Sequence, residues 1–203
     1  NIMKHVRKMC CAFLATVICF ISCAQTHAKE KQGGVTMTIT SPAFQHNTMI
    51  PAKYTCEGTN VNPPLVIEKI PEKTKSLVLI VDDPDAPMGT WTHWIVFNIP
   101  CKATKIEIEE NSIPGIQGLN DFKKITYGGP CPPSGTHRYF FRIYALDTSL
   151  NLKEGTKRQD LEQAMHQHIL AYAEFIGLYK NMADRFSLTN TFPSFPSKKR
   201  YKR

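Results

Sequence analysis

The sequence lacks several features that mark common classes of protein. No apolar run reaches the length of about 18 residues that a membrane-spanning helix needs. The HExxH and CxxC spacings that supply zinc ligands do not occur. Charged residues make up 21% of the 203 positions, whereas 42% are hydrophobic and 10% aromatic, which is too apolar for a disordered chain. This composition favours one folded domain of ordinary size with no metal motif.

A charge excess is also missing from the centre of the chain. The net charge of +8 equals the contribution of residues near the two ends, namely Lys4, Arg7, Lys8, Lys198, Lys199, Arg200, Lys202 and Arg203. The remaining 17 basic residues balance the 17 acidic ones. A balanced central domain has no field that attracts DNA or RNA, so we expect no nucleic-acid partner.

The N-terminal segment has the order of charged and apolar residues that is typical of a secretory signal peptide. Basic residues precede the apolar run 10–21, and no acidic residue occurs before Glu30. We therefore predict a signal peptide over residues 1–23, a linker over 24–34, and an exported protein that is periplasmic or membrane-anchored. An uncleaved anchor is the weaker interpretation, because the run is too short to span a bilayer.

The end of this segment leaves its processing open. The stretch from Phe20 to Cys23 resembles the bacterial lipobox, in which the cysteine is lipidated and becomes the first mature residue, although Phe20 replaces the usual small aliphatic residue. Ordinary cleavage after Ala24 or Ala28 is the alternative. Cys23 is thus a candidate for lipidation and membrane anchoring.

Residues 181–203 are predicted to form a basic C-terminal tail. The segment loses apolar periodicity, contains Pro193 and Pro196, and ends in a basic run. A solvated end is one interpretation. Contact with anionic lipid, at about 1 kcal/mol per basic residue near such a surface, is the other.

The central residues 35–180 show the rhythm of a mainly β domain with a peripheral helix. Runs of apolar, aromatic and β-branched residues alternate with Pro, Gly and Asn clusters and predict strands over 35–40, 77–81, 94–99 and 139–146. A capping-box pattern at Thr156 and Gln159 predicts a helix that runs to Tyr172. His168 lies on the apolar stripe of that helix, which predicts a core histidine. Residues 173–180 fit a last strand and a helix about equally.

Two polar sites follow or lie within the predicted central strands. Asp83 and Asp85 come after strand 77–81; a turn is the simple interpretation, but on an extended path both carboxylates share one side. His93 lies by period two on the face of Ile95 and Phe97, where a buried structural histidine is the simple interpretation.

A third polar site adjoins a loop that is rich in Gly and Pro. Residues 128–135 form this rigid loop, which leads directly into an aromatic strand. On that strand His137 and Tyr139 share one face, and Arg138 points to the other. The side chains of His137 and Tyr139 are therefore expected to point together.

In this order and spacing the three segments resemble the phosphatidylethanolamine-binding protein family, and best its bacterial Raf-kinase-inhibitor-like branch. Stretches at 50–65, 120–122 and 168–170 support the resemblance, which covers nearly the whole central domain. It implies a β-sandwich with a small cavity for phosphate or phospholipid-headgroup analogues. The residues implied for this cavity by position are Asp83, Asp85, His93, Pro132, His137 and Tyr139. Arg138 matches the motif but is assigned a structural role because of its strand face.

Three cysteines follow the predicted signal peptide, namely Cys56, Cys101 and Cys131. In an oxidising compartment three thiols allow one disulfide and one free thiol. Cys56 and Cys131 are our expected pair, because both lie in loops that resemble the cavity edge of the family. Free buried thiols are the alternative.

The resemblance implies a binding protein for a small anionic ligand or lipid headgroup, without catalytic activity, cofactor or metal. Protein interaction through surface loops is the alternative, since the family includes kinase and protease inhibitors, and a hydrolase is a further one. A hydrogen bond that Asp83 accepts from a histidine would favour the protonated imidazole. We therefore expect anion affinity to fall as pH rises through the histidine titration.

Overall fold

The computed structural model describes residues 36–181. In this part of the chain the strands and helix are β1 (Thr38–Thr40), β2 (Thr48–Met49), a 3-10 turn (Ala52–Tyr54), β3 (Leu65–Glu68), β4 (Ser76–Asp83), β5 (Trp91–Pro100), β6 (Lys105–Ile108), β7 (Ile116–Gln117), β8 (Thr136–Leu146), α1 (Arg158–Met165) and β9 (Ile169–Lys180). No helix within it is long and apolar enough to cross a membrane. The predicted signal peptide and linker, Cys23, and the tail beyond Asn181 lie outside the described residues.

The strands form two sheets. The small sheet has the order β1-β3-β6, and the large sheet has the order β2-β9-β8-β4-β5-β7. All strand pairs are antiparallel except β2 with β9. The long strands β4, which contains Asp83, and β8, which contains His137, are central, because each is flanked on both sides by another strand.

The main core lies between the two sheets. Ile39 and Ile67 of the small sheet pack in one buried cluster with Leu79, Phe141 and Ile143 of the large sheet. Alternate residues along β8 are buried there, as the predicted period-two pattern requires. The prediction of a mainly β fold with a peripheral helix is confirmed, and the two facing sheets form a β-sandwich.

The second face of the large sheet is also covered. Val78, Ile80 and Phe97 pack there against Leu161 and Met165 of α1. Because β4 is covered on both faces, all of its residues are buried, which explains why its sequence is a continuous apolar run rather than an alternating one.

The predicted helix is too long at its C-terminal end. The observed helix α1 ends at Met165, and strand β9 begins at Ile169. Strand β9 pairs with β8 along its whole length, up to the pair of Thr136 with Lys180. A long ladder of backbone hydrogen bonds with β8 thus overrides the helical spacing of the side chains. The expected capping box is also absent: Thr156 Oγ1 donates to Lys153 O, and Lys157 occupies the N-cap position without a side-chain bond.

The prediction that His168 is a core histidine is wrong for the same reason. His168 lies between α1 and β9, with 44% of its side chain exposed, and its Nδ1 lies 2.8 Å from Asp147 Oδ1. Once the helix ends, the residue no longer belongs to an apolar stripe.

Candidate functional site

A bulge at the start of β5 decides where His93 points. Val81 pairs with Trp94, but the next residue of β4, Asp82, pairs with Thr92, so His93 is the extra residue of the bulged strand. The ring of His93 lies 5.2 Å from that of Tyr139, which belongs to the core between the two sheets. The predicted placement of His93 on the face of Ile95 and Phe97 is therefore wrong, because the bulge breaks the period-two alternation.

Asp83 ends strand β4 beside the start of β8. Its Oδ2 lies 2.7 Å from Nδ1 of His137, and the side chains are only 4% and 9% exposed. Its Oδ1 accepts a hydrogen bond from the backbone N–H of Asp85 at 2.8 Å. A carboxylate only accepts, so His137 Nδ1 carries the proton and Nε2 remains for another partner.

His93 is held in the same way from the other side. Its Nδ1 lies 2.7 Å from the carbonyl oxygen of Gly128, which only accepts, so Nδ1 carries the hydrogen here too. Burial lowers the pKa of His93. At neutral pH its ring is thus uncharged, and Nε2 is a hydrogen-bond acceptor.

The segment before the Gly–Pro loop anchors this part of β5. Asn120 Nδ2 donates to the carbonyl of His93 at 3.2 Å, and Asp121 Oδ2 accepts from the backbone N–H of Thr92 at 2.7 Å. Phe122, next in the chain, makes T-shaped ring contacts with Trp91 and His93, with ring centroids 5.5 and 5.2 Å apart. These side chains hold the His93 ring, a role that the sequence analysis missed.

A cavity of about 360 Å³ lies between these elements and is called the histidine pocket below. Its lining residues are Asp83, Ala86, Pro87, Met88, Trp91, His93, Phe122, Cys131 and Pro133. Asp83 and His93 are its polar members, and the others are mainly apolar. Met88 stands on the rim with 93% of its surface exposed. The pocket therefore presents one carboxylate and one imidazole inside an apolar frame.

Four residues implied by the resemblance lie outside this lining, namely Asp85, Pro132, His137 and Tyr139. His137 adjoins the cavity through its contact with Asp83. Asp85 does not face the pocket with Asp83, because β4 ends at Asp83 and the chain turns. Its carboxylate instead accepts from the backbone N–H and the guanidinium of Arg138, which lowers the pKa of Asp85 to about 2. Pro132 is buried and does not line the pocket, whereas its neighbour Pro133 does.

Tyr139 lies behind the lining. It is fully buried, and its hydroxyl is one of three buried side-chain polar atoms that have no hydrogen-bond partner within residues 36–181. Burial, aided by the charge of Asp83, raises the pKa of Tyr139 above its usual range. The indole Nε1 of Trp91 is another of the three buried polar atoms without a hydrogen-bond partner within residues 36–181. Unsatisfied buried polar groups are costly and are characteristic of functional sites.

A disulfide closes one side of the pocket. Cys56 and Cys131, separated by 75 positions, are bonded as expected from the resemblance, and Cys131 lines the cavity. Cys101 is a free, buried thiol, and burial raises its pKa. The bond ties the Gly–Pro loop to the segment that follows the 3-10 turn.

The chemistry available to this site is that of a carboxylate, Asp83, beside imidazoles that gain positive charge when they bind a proton. Protonation converts the remaining Nε2 of either imidazole from an acceptor into a charged donor. No cluster of three or more His, Cys, Asp or Glu residues within 36–181 is arranged to hold a metal ion.

Comparison with protein families agrees with this architecture. The family model described as phosphatidylethanolamine-binding protein matches residues 40–180. A UPF0098 protein of Pyrococcus horikoshii is 55% identical over 150 residues, covering 69% of this chain and 75% of that protein. A UPF0098 protein of Chlamydia trachomatis is 44% identical over 149 residues, covering 71% and 99%.

Solved structures show the same fold. A phosphatidylethanolamine-binding protein homologue of Chlamydia trachomatis superposes with a TM-score of 0.69 at 43% identity, over 72% of this chain and 98% of that one. Escherichia coli YbcL, described as a member of the mammalian family, superposes with a TM-score of 0.67 at 29% identity, over 72% and 99%. The chain therefore belongs to the phosphatidylethanolamine-binding protein family.

Proposed function

We propose that this protein binds a small anion, such as phosphate or a phospholipid headgroup, in the histidine pocket and catalyses no reaction. The observation that carries the proposal is the fixation of two imidazoles through Nδ1, His93 by the Gly128 carbonyl and His137 by Asp83. Nδ1 of each ring is thereby occupied, and Nε2 is the atom that we assign to the ligand.

His93 is the imidazole in the pocket wall and the direct contact. Its free form is neutral, because burial lowers its pKa. An oxyanion bound at Nε2 favours the protonated ring, so binding takes up a proton or uses one that the ligand already carries. Asp83 and His137 form the neighbouring pair, in which the carboxylate orients the ring and the ring limits repulsion between the carboxylate and the anion.

The size and polarity of the pocket suit a headgroup rather than a bare ion alone. A volume of about 360 Å³ lies in the lower part of the range for small-molecule sites. Trp91, Phe122 and Met88 offer apolar surface for the carbon part of such a ligand. Asp83 offers a carboxylate for an ammonium group, which phosphoethanolamine has and phosphate lacks.

Calorimetric titration of the full chain with inorganic phosphate and with phosphoethanolamine tests the proposal. The variants His93→Gln and His137→Gln should each weaken binding by at least about tenfold, the equivalent of one lost charge-assisted hydrogen bond. His168→Gln is the matched control, because that histidine is also bonded to an aspartate, Asp147, but this aspartate does not line the pocket. Saturable binding that neither His93→Gln nor His137→Gln changes would refute the assignment.

Export belongs to the same proposal and is supported by the signal-peptide pattern of residues 1–23. Cell fractionation and the intact mass of the mature protein test it. A diacylglyceryl-modified mass that begins at Cys23 would show membrane anchoring, and an unmodified mass that begins after Ala24 or Ala28 would show a free periplasmic form. An unprocessed chain in the cytoplasm would refute export.

A further inference from the structure

A second cavity adjoins the histidine pocket. It has a volume of about 400 Å³ and is called the lysine pocket below. Its lining residues are Cys56, Thr59, Asn60, Phe122, Lys124, Thr126, Tyr127, Gly128, Gly129 and Cys131. Phe122 and Cys131 line both cavities, so their side chains form a shared wall.

The lining of the lysine pocket differs in charge from that of the histidine pocket. Lys124 is its one charged residue, and no carboxylate occurs among its lining residues. The Lys124 ammonium makes no ion pair within residues 36–181, whereas Lys53 and Lys105 pair with glutamates. The side chains of Thr59, Asn60 and Thr126 add polar atoms. An unpaired cation beside polar groups in a concave site favours an anionic occupant.

The lysine pocket is built from tightly fixed parts. Gly129 N–H donates to Asn60 Oδ1 at 2.7 Å, and the Tyr127 hydroxyl donates to the carbonyl of Tyr54 at 2.9 Å. A Cβ on Gly129 would lie 2.6 Å from that carbonyl oxygen, so the loop and the 3-10 turn touch closely. The backbone N–H of Lys124 donates to Asn120 Oδ1 at 2.9 Å. A preformed cavity of this kind binds without a large cost in ordering.

The two cavities are neighbours, since Phe122 and Cys131 line both. Phe122 is 38% exposed, and its ring stands edge-on to His93. Groups in contact with opposite sides of one ring are separated by about 7 Å, twice the contact distance between carbon atoms. A linker of a few atoms that passes over the exposed edge of Phe122 would span this distance.

We propose that the lysine pocket is a second anion subsite and that the ligand carries two anionic groups on a short linker, as in a small bisphosphate. This inference rests on the proposed function, since the first group occupies the histidine pocket. The second group binds the Lys124 ammonium and the polar groups around it. Lys124 is then a residue that determines specificity for doubly anionic ligands over single anions.

Calorimetric titration of the full chain with inorganic phosphate and with 1,3-propanediol bisphosphate tests the inference. The bisphosphate should bind at least about tenfold more tightly than phosphate, the equivalent of about 1.4 kcal/mol. Lys124→Met should remove this advantage and leave phosphate affinity unchanged. Lys123→Met is the matched control, because Lys123 is the adjacent exposed lysine but does not line the pocket.

The outcomes separate the two proposals. Phosphate binding without a bisphosphate advantage, or an equal effect of the two lysine variants, would overturn the second subsite and leave the first intact. Absence of binding for both probes would overturn both proposals. The same chemistry occurs in free molecules and in lipid headgroups. Soluble glycerophosphoinositol 4-phosphate and vesicles that contain phosphatidylinositol 4-phosphate distinguish these sources, and a loss of binding on Lys124→Met in either arm supports the subsite.

Discussion

Asp83 and His137, 54 positions apart in the sequence, form a buried pair with 2.7 Å between Oδ2 and Nδ1. They meet because β4 and β8 are neighbours in the large sheet and pair in antiparallel register up to Asp82 and Phe140, so the C-terminal end of one strand lies beside the N-terminal end of the other. The pair thus lies at the ends of these two central strands, beside the histidine pocket.

The first prediction concerns the charge of Asp83. Asp83→Asn keeps the shape of the side chain and an oxygen that accepts a hydrogen bond from His137, but it removes the negative charge that favours a protonated imidazole. We therefore expect phosphate affinity to fall by about tenfold or more near neutral pH. Calorimetry measures this. Asp85→Asn is the control, because Asp85 pairs with Arg138 away from the pocket. A rise in affinity would mean that Asp83 acts on the anion only by repulsion.

The second prediction concerns pH. Sulfate keeps a fixed charge between about pH 5.5 and 8, so any change in its affinity reports on the protein. Burial lowers the pKa of His93, so the free ring becomes protonated only below its ordinary value of about 6.5. Sulfate favours the charged ring, and its affinity should therefore rise as pH falls through this range and decline toward pH 8.

His93→Gln supplies the comparison for the pH experiment. Its amide can still donate to the Gly128 carbonyl, but it does not titrate. The variant should show a flatter dependence of sulfate affinity on pH. Calorimetry in buffers of different ionisation enthalpy should also show that the variant takes up fewer protons when it binds sulfate. A dissociation constant of the wild-type protein that is constant over the whole range would contradict the role assigned to His93.

The third prediction concerns the disulfide. A bond between residues 75 positions apart restricts the unfolded chain, so the double variant Cys56→Ser, Cys131→Ser should lose about 2–4 kcal/mol in its free energy of unfolding. Phosphate affinity should also fall, since Cys131 belongs to the pocket wall. Urea denaturation and calorimetry measure the two effects. Equal stability of the oxidised and dithiothreitol-reduced wild-type protein would contradict the first expectation.

The fourth prediction separates stability from binding. Asp82 is 1% exposed and pairs with Arg142 and Arg158 at 3.1 and 2.9 Å, near the face of the large sheet that α1 covers. Asp82→Asn removes the buried charge that both guanidinium groups share and leaves each with only its more exposed partner, Glu174 or Glu162. We therefore expect a loss of about 2–4 kcal/mol in unfolding free energy. Phosphate affinity should not change, because Asp82 does not line the pocket.

An exposed ion pair is the matched control for Asp82. Glu68 and Lys105 are 3.1 Å apart with about half of each side chain exposed, at 46% and 52%. Glu68→Gln should change the unfolding free energy by less than about 1 kcal/mol, since solvent screens the pair. A similar loss in both variants would argue against a special role for the buried pair.

Much of the scaffold could be predicted from residue patterns. The aromatic and β-branched run 139–146 predicted strand β8, and the apolar run 77–81 predicted strand β4, because such residues pack well on a pleated sheet. The short strands β2, β3, β6 and β7 were not predicted, because they carry too few residues for a pattern to be recognised.

The site itself was only partly accessible from the sequence. The ordered motifs predicted Asp83, His93 and His137 in one cavity through the family resemblance. In the structure Asp83 and His93 line one pocket, and His137 contacts Asp83 without lining it. Asp85 and Pro132 were included by position, but a turn after Asp83 directs the first to Arg138, and Pro133 replaces the second in the lining.

The sequence by itself determined the strand faces, the class of fold and the segments that carry the polar residues, because these depend on local periodicity and turn chemistry. The tertiary structure alone decided three other features: the bulge that turns His93 toward Tyr139, the end of α1 at Met165, and the position of Phe122 between two cavities. Each depends on contacts between residues distant in sequence, where strand pairing and packing outweigh local preference.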